Sequence, residues 1–529
     1  MHRNAKLTLV LLSTFCAPAL ASAQEPYSPL VPRGKIRLEI RGEFSSFSSR
    51  YRIWTDGTAT REGLEELSDP FSGIAGVRVF PFLAPVQEAV RQAGNEDYDL
   101  SLGTMASFME MNAARAPIAL DVGIFDWLTA GVVVPAVQNE AEFAFHFEAD
   151  SSGANAGLGP GAGEASAFLT ILQHSIGQYD TFREATCASD PGSPACLNAT
   201  AVLEDALGFG NALAAMYETG FAPLGWSPTG MALHARLSDL GAEFGEAGVT
   251  GFPTAIPLAD AFLTSEDFLR LVTDPAFGIA ATNPMGSWRG LWGIGDIELR
   301  ASARLFESGE SGGSSHLVGG GGALVRLPAG TQGDPANILD AGTGDAQTDV
   351  ELRGWINARW QGRLGVWADF RYGIQLKGNA ERRVFDPDFT FAPLSSQVKL
   401  DWDPGDYQSL ELAPWYRVAE SMTLLAGFHH YRKGRDSFAL ATGDATQQPP
   451  AGPVPDPEIL VPHSEVSSSR LMVGMVYNRA TPTWDGKTGR PLEIRVVYRR
   501  VVGGRGGNVP NSGAMEAGFR FFAGLWGEG

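Results

Sequence analysis

The ionisable residues of this chain recur at a spacing of two. Arg37, Glu39 and Arg41 alternate with Ile36, Leu38 and Ile40; Glu298 and Arg300 lie between Ile297, Leu299 and Ala301, with Arg304 further along the same run. The pattern returns at Glu351, Arg353 and Arg359, at Asp369 and Arg371, and at Glu493, Arg495 and Arg499. Glu411 with Arg417, and Glu516 with Arg520, complete the set. A period of two places these groups on one face of a strand and the apolar residues on the other. The chemistry open to such a face is electrostatic: guanidinium and carboxylate on neighbouring strands pair, and they either line a path for solutes or fill the space by satisfying one another.

Catalytic and metal-binding patterns are weak by comparison. Ser315-His316 and His463-Ser464 offer hydrolase residue types without a recognisable triad, and no His-x-x-x-His spacing occurs. His429 and His430 are adjacent, so a strand sends them to opposite faces. Gly319–Gly322 lacks the Gly-Lys-Ser/Thr of a phosphate loop, and glycine inside a strand more often marks close backbone approach. The reading is a non-enzyme with no metal and no cofactor.

What must position these residues is a set of long strands. The alternating segments run to roughly ten residues or more, the length of a tilted membrane strand. Tight connections at Phe125–Trp127, Glu307–Ser315, Gln361–Arg363, Ala419–Met422 and Pro482–Pro491 alternate with long ones at Thr55–Asn95, Glu148–Gly290, Thr331–Thr348, Lys377–Gln397 and Thr442–Ser469. Short turns at one end and long loops at the other are a feature of outer-membrane barrels. The expected fold is therefore all-β: a transmembrane antiparallel barrel of about twelve strands, starting near residues 35, 98, 129, 294, 316, 349, 363, 398, 422, 469, 491 and 512. Fourteen is the alternative, if the second strand splits around Arg115-Ala116-Pro117. With the apolar residues assigned to lipid, the charges named above face the lumen, because Arg or Lys facing lipid at mid-membrane costs roughly 2–4 kcal/mol.

Composition agrees. Of 529 residues, 64 are Gly, charged residues make up 19% and the net charge is −20. Mean hydropathy of −0.06 is too polar for a bundle of membrane helices, and the negative charge argues against nucleic-acid binding. Residues 1–23, with Arg3 and Lys6 before the apolar run Leu7–Leu12 and an Ala21-Ser22-Ala23 end, read as a secretory signal peptide. Residues 24–148 and 291–529 then form the barrel, and residues 149–290 a helical insertion in one extracellular loop. There Phe168, Leu172, Ile176 and Tyr179 make one helical stripe; Val202, Ala206, Phe209 and Leu213 a second; Leu233, Leu237, Leu240 and Phe244 a third. Thr264 and Asp267 fit a capping box, Gly153–Gly163 a flexible linker, and Cys187 and Cys196 a disulfide across a Pro-rich turn.

Two stretches carry a resemblance. Asp121-Val122-Gly123-Ile124-Phe125-Asp126-Trp127-Leu128-Thr129-Ala130-Gly131-Val132-Val133-Val134-Pro135 resembles a hairpin of outer-membrane transporters of the phenol meta-pathway type. Gly293-Ile294-Gly295-Asp296-Ile297-Glu298-Leu299, followed by Gly322–Gly330 ending in Leu327-Pro328-Ala329-Gly330, is similar to the segment that follows in that family. These belong with the wider long-chain fatty-acid channel-like barrels, and the likeness spans about Pro117 to Gly378. It implies an outer-membrane channel that passively conducts small hydrophobic or aromatic solutes. The C-terminal run Met515–Trp526 resembles the sorting signal read by the barrel-assembly machinery. Expected partners are thus outer-membrane lipid, lipopolysaccharide, that machinery and a hydrophobic solute. The competing expectation is a non-conducting surface barrel, plugged by ion pairs, whose insertion docks a partner.

Overall fold

The computed structural model describes residues 28–56, 59–150, 153–275, 278–309, 314–386, 389, 392–441, 456–479 and 492–525. The signal peptide, the turn at 482–491 and the last residues of the C-terminal signal lie outside them. Twelve antiparallel strands close a barrel. In chain order they are β1 Lys35–Phe47, β2 Thr104–Phe125, β3 Leu128–Glu148, β4 Ile297–Ser308, β5 His316–Leu327 and β6 Asp349–Trp360, then β7 Leu364–Gln375, β8 Tyr407–Ala419, β9 Met422–Lys433, β10 Val466–Arg479, β11 Leu492–Gly506 and β12 Gly513–Gly524. Each pairs with the next, and β12 pairs with β1 to close the ring, Lys35 opposite Gly524.

The second strand does not split. It runs unbroken for 22 residues through Arg115-Ala116-Pro117, with Pro117 opposite Pro135 of β3. Proline gives no ladder donor, and the β1–β2 pairing is interrupted between Ile40–Ile118 and Glu43–Arg115 at that level, with the register unchanged. Fourteen strands are therefore excluded. The strand expected near 398 also needs correcting. Gln397–Asp403 belongs to a separate three-stranded sheet with Gly378–Arg383 and Ser437–Leu440, and the barrel strand begins at Tyr407. Val398 and Leu400 are apolar every second residue because they face that small sheet's own core with Val384, Phe438 and Leu460. A core and a lipid face call for the same alternation.

All the long connections leave one end of the barrel; the described short turns leave the other, apart from the brief β11–β12 link at the long-loop end. Helices α1 Ala84–Gln92, α2 Ala162–Cys187, α3 Pro194–Tyr217, α4 Pro228–Glu246 and α5 Ser265–Val272 gather there. The three sequence stripes are buried in one cluster, the Thr264–Asp267 capping box forms, and Cys187 is bonded to Cys196. The cluster reaches beyond 149–290, however: Phe80, Leu83, Val86, Tyr98 and Leu102 are part of it. Residues 153–163 are not a free linker either, since Ala156–Leu158 pairs with Phe221–Pro223. Phe268 of α5 stacks on Phe147 and Phe145 of β3, at 4.3 and 5.0 Å between ring centroids, seating the helices on the long β2–β3 hairpin. Among the described residues no helix is long and apolar enough to cross a membrane.

Candidate functional site: the barrel interior

Strand parity separates two faces. Ile40, Leu352, Phe370 and Phe519 stand exposed at 40, 54, 48 and 43%, while Glu39, Glu351, Asp369 and Glu516 beside them are 5, 4, 3 and 2% exposed. The greasy side chains stand on the outside of the barrel and the ionised ones are enclosed.

The enclosed groups form layers of ion pairs. Asp121 is the hub of one. It accepts from Arg37 Nε at 3.0 Å and Nη2 at 2.8 Å, and from Arg300 Nε and Nη2 at 2.9 Å each. Arg520 donates to Glu39 and to Glu493, both at 2.9 Å, and Arg41 Nε lies 3.1 Å from Glu39. Glu516 takes Arg499 Nη1 at 2.5 Å and has Arg495 at 3.6 Å. Across the barrel, Asp369 accepts from Arg353 and, at 2.6 Å, from Arg371, whose Nη1 also reaches Glu351 at 3.4 Å. Glu298 lies 3.5 Å from Arg326. Arg304 bonds Glu307 near the short turns, and Glu307 also meets His316 Nε2 at 2.9 Å. Arg359 is buried opposite His316 in the ladder, and Arg417 lies at a bulge, its guanidinium 5.9 Å over the Trp415 ring. Glu411 lines the central cavity.

Several interior residues escape a reading that sends every apolar side chain to lipid. Trp355, Trp367 and Trp415 sit inside with Leu425, Met472 and Val497. Trp355 and Trp367 stack at 5.8 Å, and Arg353 lies 5.7 Å over the Trp367 ring. Glycines on neighbouring strands leave room for these rings: a Cβ at Gly320 would stand 2.5 Å from the Trp355 ring, and one at Gly365 2.3 Å from that of Trp415. Parity with Arg353 and Asp369 was the available signal. Asp121 escaped as well, an acid isolated in an apolar hairpin whose partners lie 84 and 179 residues away. Asp349, Arg326 and Tyr407 were missed too, as were Glu43, Arg115 and Arg470: Arg326 bonds Asp349 at 2.5 Å and Tyr407 donates to Glu351 at 2.7 Å.

The short-turn end is narrowed from within. Residues 28–33 turn into the barrel, where Arg37 Nη1 donates to Ser28 O at 2.7 Å, Val31 N donates to Thr129 Oγ1 at 2.7 Å, and Leu30 packs on the tryptophan cluster. Only glycine fits at 123, since a Cβ there would be 2.1 Å from Pro32 O. Beyond this constriction three cavities adjoin. The central one, about 280 Å³, shares Glu351, Asp369, Arg371 and Glu411 with one of about 400 Å³ lined also by Tyr407, His429 and Tyr431. It shares Arg499 with a third of about 220 Å³. His429 faces this interior, while His430 turns to Ser469 at 3.0 Å on the other face.

At the long-loop end the two halves of the second motif meet: Asp296 accepts from Gly330 N at 2.8 Å and from Asp345 N at 3.2 Å. Burial, with Asp296 and Asp349 close by, pushes the Asp345 carboxyl up to about 6. Among the described residues no group of three or more His, Cys, Asp or Glu is placed to hold a metal ion.

The chain matches no protein-family model and no curated protein by sequence. Its fold is similar to those of solved barrels. An outer membrane channel from Pseudomonas putida F1 matches at 9% identity and TM-score 0.40, over 94% of this chain and 99% of that one. The Pseudomonas putida toluene transporter TodX matches at 11% identity and TM-score 0.26, over 94 and 90%. A FadL homologue of Pseudomonas aeruginosa matches at 8% identity and TM-score 0.27, over 93 and 91%. The likeness to transporters of the phenol meta-pathway type stays with the quoted motifs, and the closed twelve-strand ladder stands on its own strand pairing.

Proposed function

We propose that this protein is a bacterial outer-membrane channel that lets small solutes, aromatic ones among them, diffuse through the barrel, with its long loops and helices on the extracellular side. The observation that carries the reading is the run of three adjoining cavities inside the ring, bounded by the paired charges and, in the central one, by Trp367. The charges named from sequence then serve as the lining of the path. Trp367 brings an aromatic ring to the wall of the central cavity, and the indole N–H groups of Trp355 and Trp415, buried behind it, meet no acceptor among the described residues.

The second reading is a plugged structural barrel, favoured by the segment 28–33 held inside by Arg37 and Thr129. Liposome swelling with small sugars and aromatic solutes separates the two. Swelling faster than in empty liposomes supports the channel. No swelling, either in the whole chain or after removal of residues 28–31, leaves the structural barrel.

A further inference from the structure

We infer that the third cavity is a binding site for small organic monoanions with a compact apolar body, such as a single-ring carboxylate, and that the channel favours anions. The inference rests on the channel reading and names its solute class. The cavity holds about 220 Å³ and lies in the wall formed by β2, β1, β12, β11 and β10. Three guanidiniums face it, those of Arg115, Arg470 and Arg499, with Glu43 as the sole carboxylate of its lining among the described residues. Arg499 is committed to Glu516 at 2.5 Å. Arg115 and Arg470 have neither a hydrogen bond nor an ion pair among the described residues, although Arg470 lies within electrostatic reach of Arg115, Arg499 and Glu43. Glu43 stands opposite both Arg115 and Glu516 in the ladders, so one carboxylate must answer two free guanidiniums while facing another acid.

Elsewhere in the interior the pairing is tight: Asp121, Glu39 and Asp369 each hold two arginines. Two unpaired guanidiniums converging on one cavity are the exception, and like charges brought together this way are relieved by an anion between them. A guanidinium fork matches a carboxylate bidentately, which a point charge cannot do. The rest of the lining suits the other end of such a molecule. Phe47, Val501 and Ala514 offer apolar surface, and Ser45 and Ser512 offer hydroxyls. Arg499 lines both this site and the central cavity, where Arg41, Arg495 and Arg300 stand toward the short-turn end, each beside a carboxylate.

The test uses the whole protein reconstituted in planar lipid bilayers across a KCl gradient, with benzoate as probe and benzyl alcohol as neutral control. The expected result is a reversal potential of anion-selective sign and a current that benzoate, but not benzyl alcohol, reduces in a saturable way. Arg115→Gln and Arg470→Gln should each weaken the benzoate effect about tenfold or more, the worth of a charge-assisted hydrogen bond, and shift the reversal potential toward cations. Arg470→Lys, which keeps the charge, should retain selectivity while losing benzoate affinity. A conducting channel that is cation-selective, or one on which benzoate acts equally with both arginines replaced, overturns the anion site and leaves the channel reading standing. No conductance at all removes the channel reading instead. Calorimetric titration of benzoate into the detergent-solubilised protein then decides the site: saturable binding lost in both Gln variants upholds it, and no binding overturns it.

Discussion

Replacing Asp121 by Asn tests whether the interior is dry enough for its ion pairs to matter. The substitution keeps volume and shape but removes the charge that four hydrogen bonds from Arg37 and Arg300 converge on. Asp121 is 1% exposed and Arg37 4%, so water cannot replace what is lost. The amide offers one acceptor where there were two, and points its NH₂ at a guanidinium. Breaking a buried pair by removing one partner costs about 3–5 kcal/mol, because a buried charge is left uncompensated. With a urea slope of about 2–3 kcal/mol per molar, the unfolding midpoint should fall by roughly 1–2 M. Intrinsic fluorescence in a urea titration reads this directly, since Trp355, Trp367 and Trp415 are buried in the native barrel. Asp121→Asn combined with Arg300→Gln should recover part of the loss, as one unpaired cation goes with the carboxylate. A single variant within about 0.5 kcal/mol of the parent would show that water screens the interior as it does an exposed pair, and the argument from burial would fail.

Phe370→Arg, on the lipid face at the middle of β7 and 48% exposed, should cost about 2–4 kcal/mol in the same titration in bilayers; a neutral effect there would contradict the assignment of faces. Cys187→Ser with Cys196→Ser removes a link closing a sequence separation of 9, worth about 2–3 kcal/mol in the chain-entropy picture. Limited proteolysis should cut faster between α2 and α3, with barrel unfolding unchanged. Asp345 gives a pH dependence of known sign. Its carboxyl is raised to about 6 by burial beside Asp296 and Asp349, so folding retains a proton that the unfolded loop has lost. The loop at 328–348 is therefore tightest below about 4 and loosens as pH rises to about 6. Amide exchange corrected for intrinsic rates should show this, and Asp345→Asn should abolish it.

Local patterns were legible in the sequence. The helical stripes ending at Tyr179, Leu213 and Phe244, the Thr264–Asp267 box and the cysteine pair needed only neighbours along the chain, and each is found in place. Contacts across hundreds of residues were not. Nothing near Asp121 announces Arg300, and nothing near Leu83 or Tyr98 announces that they complete a core with Phe209 and Phe244. That shared core has a practical consequence: deleting residues 153–290 to expose the barrel mouth would strand Phe80, Leu83, Val86 and Leu102 in water, so the deletion cannot be read as the simple loss of a lid. The long loops show the same limit, where Leu394 N donates to Gly278 O and Arg383 holds Pro335 O at 2.8 Å.

Where residue type and parity disagree, parity prevails, and the reason is energetic. Trp355 would gain by facing lipid, but on β6 it shares a face with Glu351, Arg353 and Arg359. Sliding that strand by one residue to bring the indole outward would carry those ionised groups out with it, at about 2–4 kcal/mol for each arginine at mid-membrane. It would also break the register with β5 and β7, in which Gly320 leaves the space that the ring occupies. The tryptophan stays inside because its neighbours two residues away cannot leave. The interior is thus charged by requirement and aromatic by allowance.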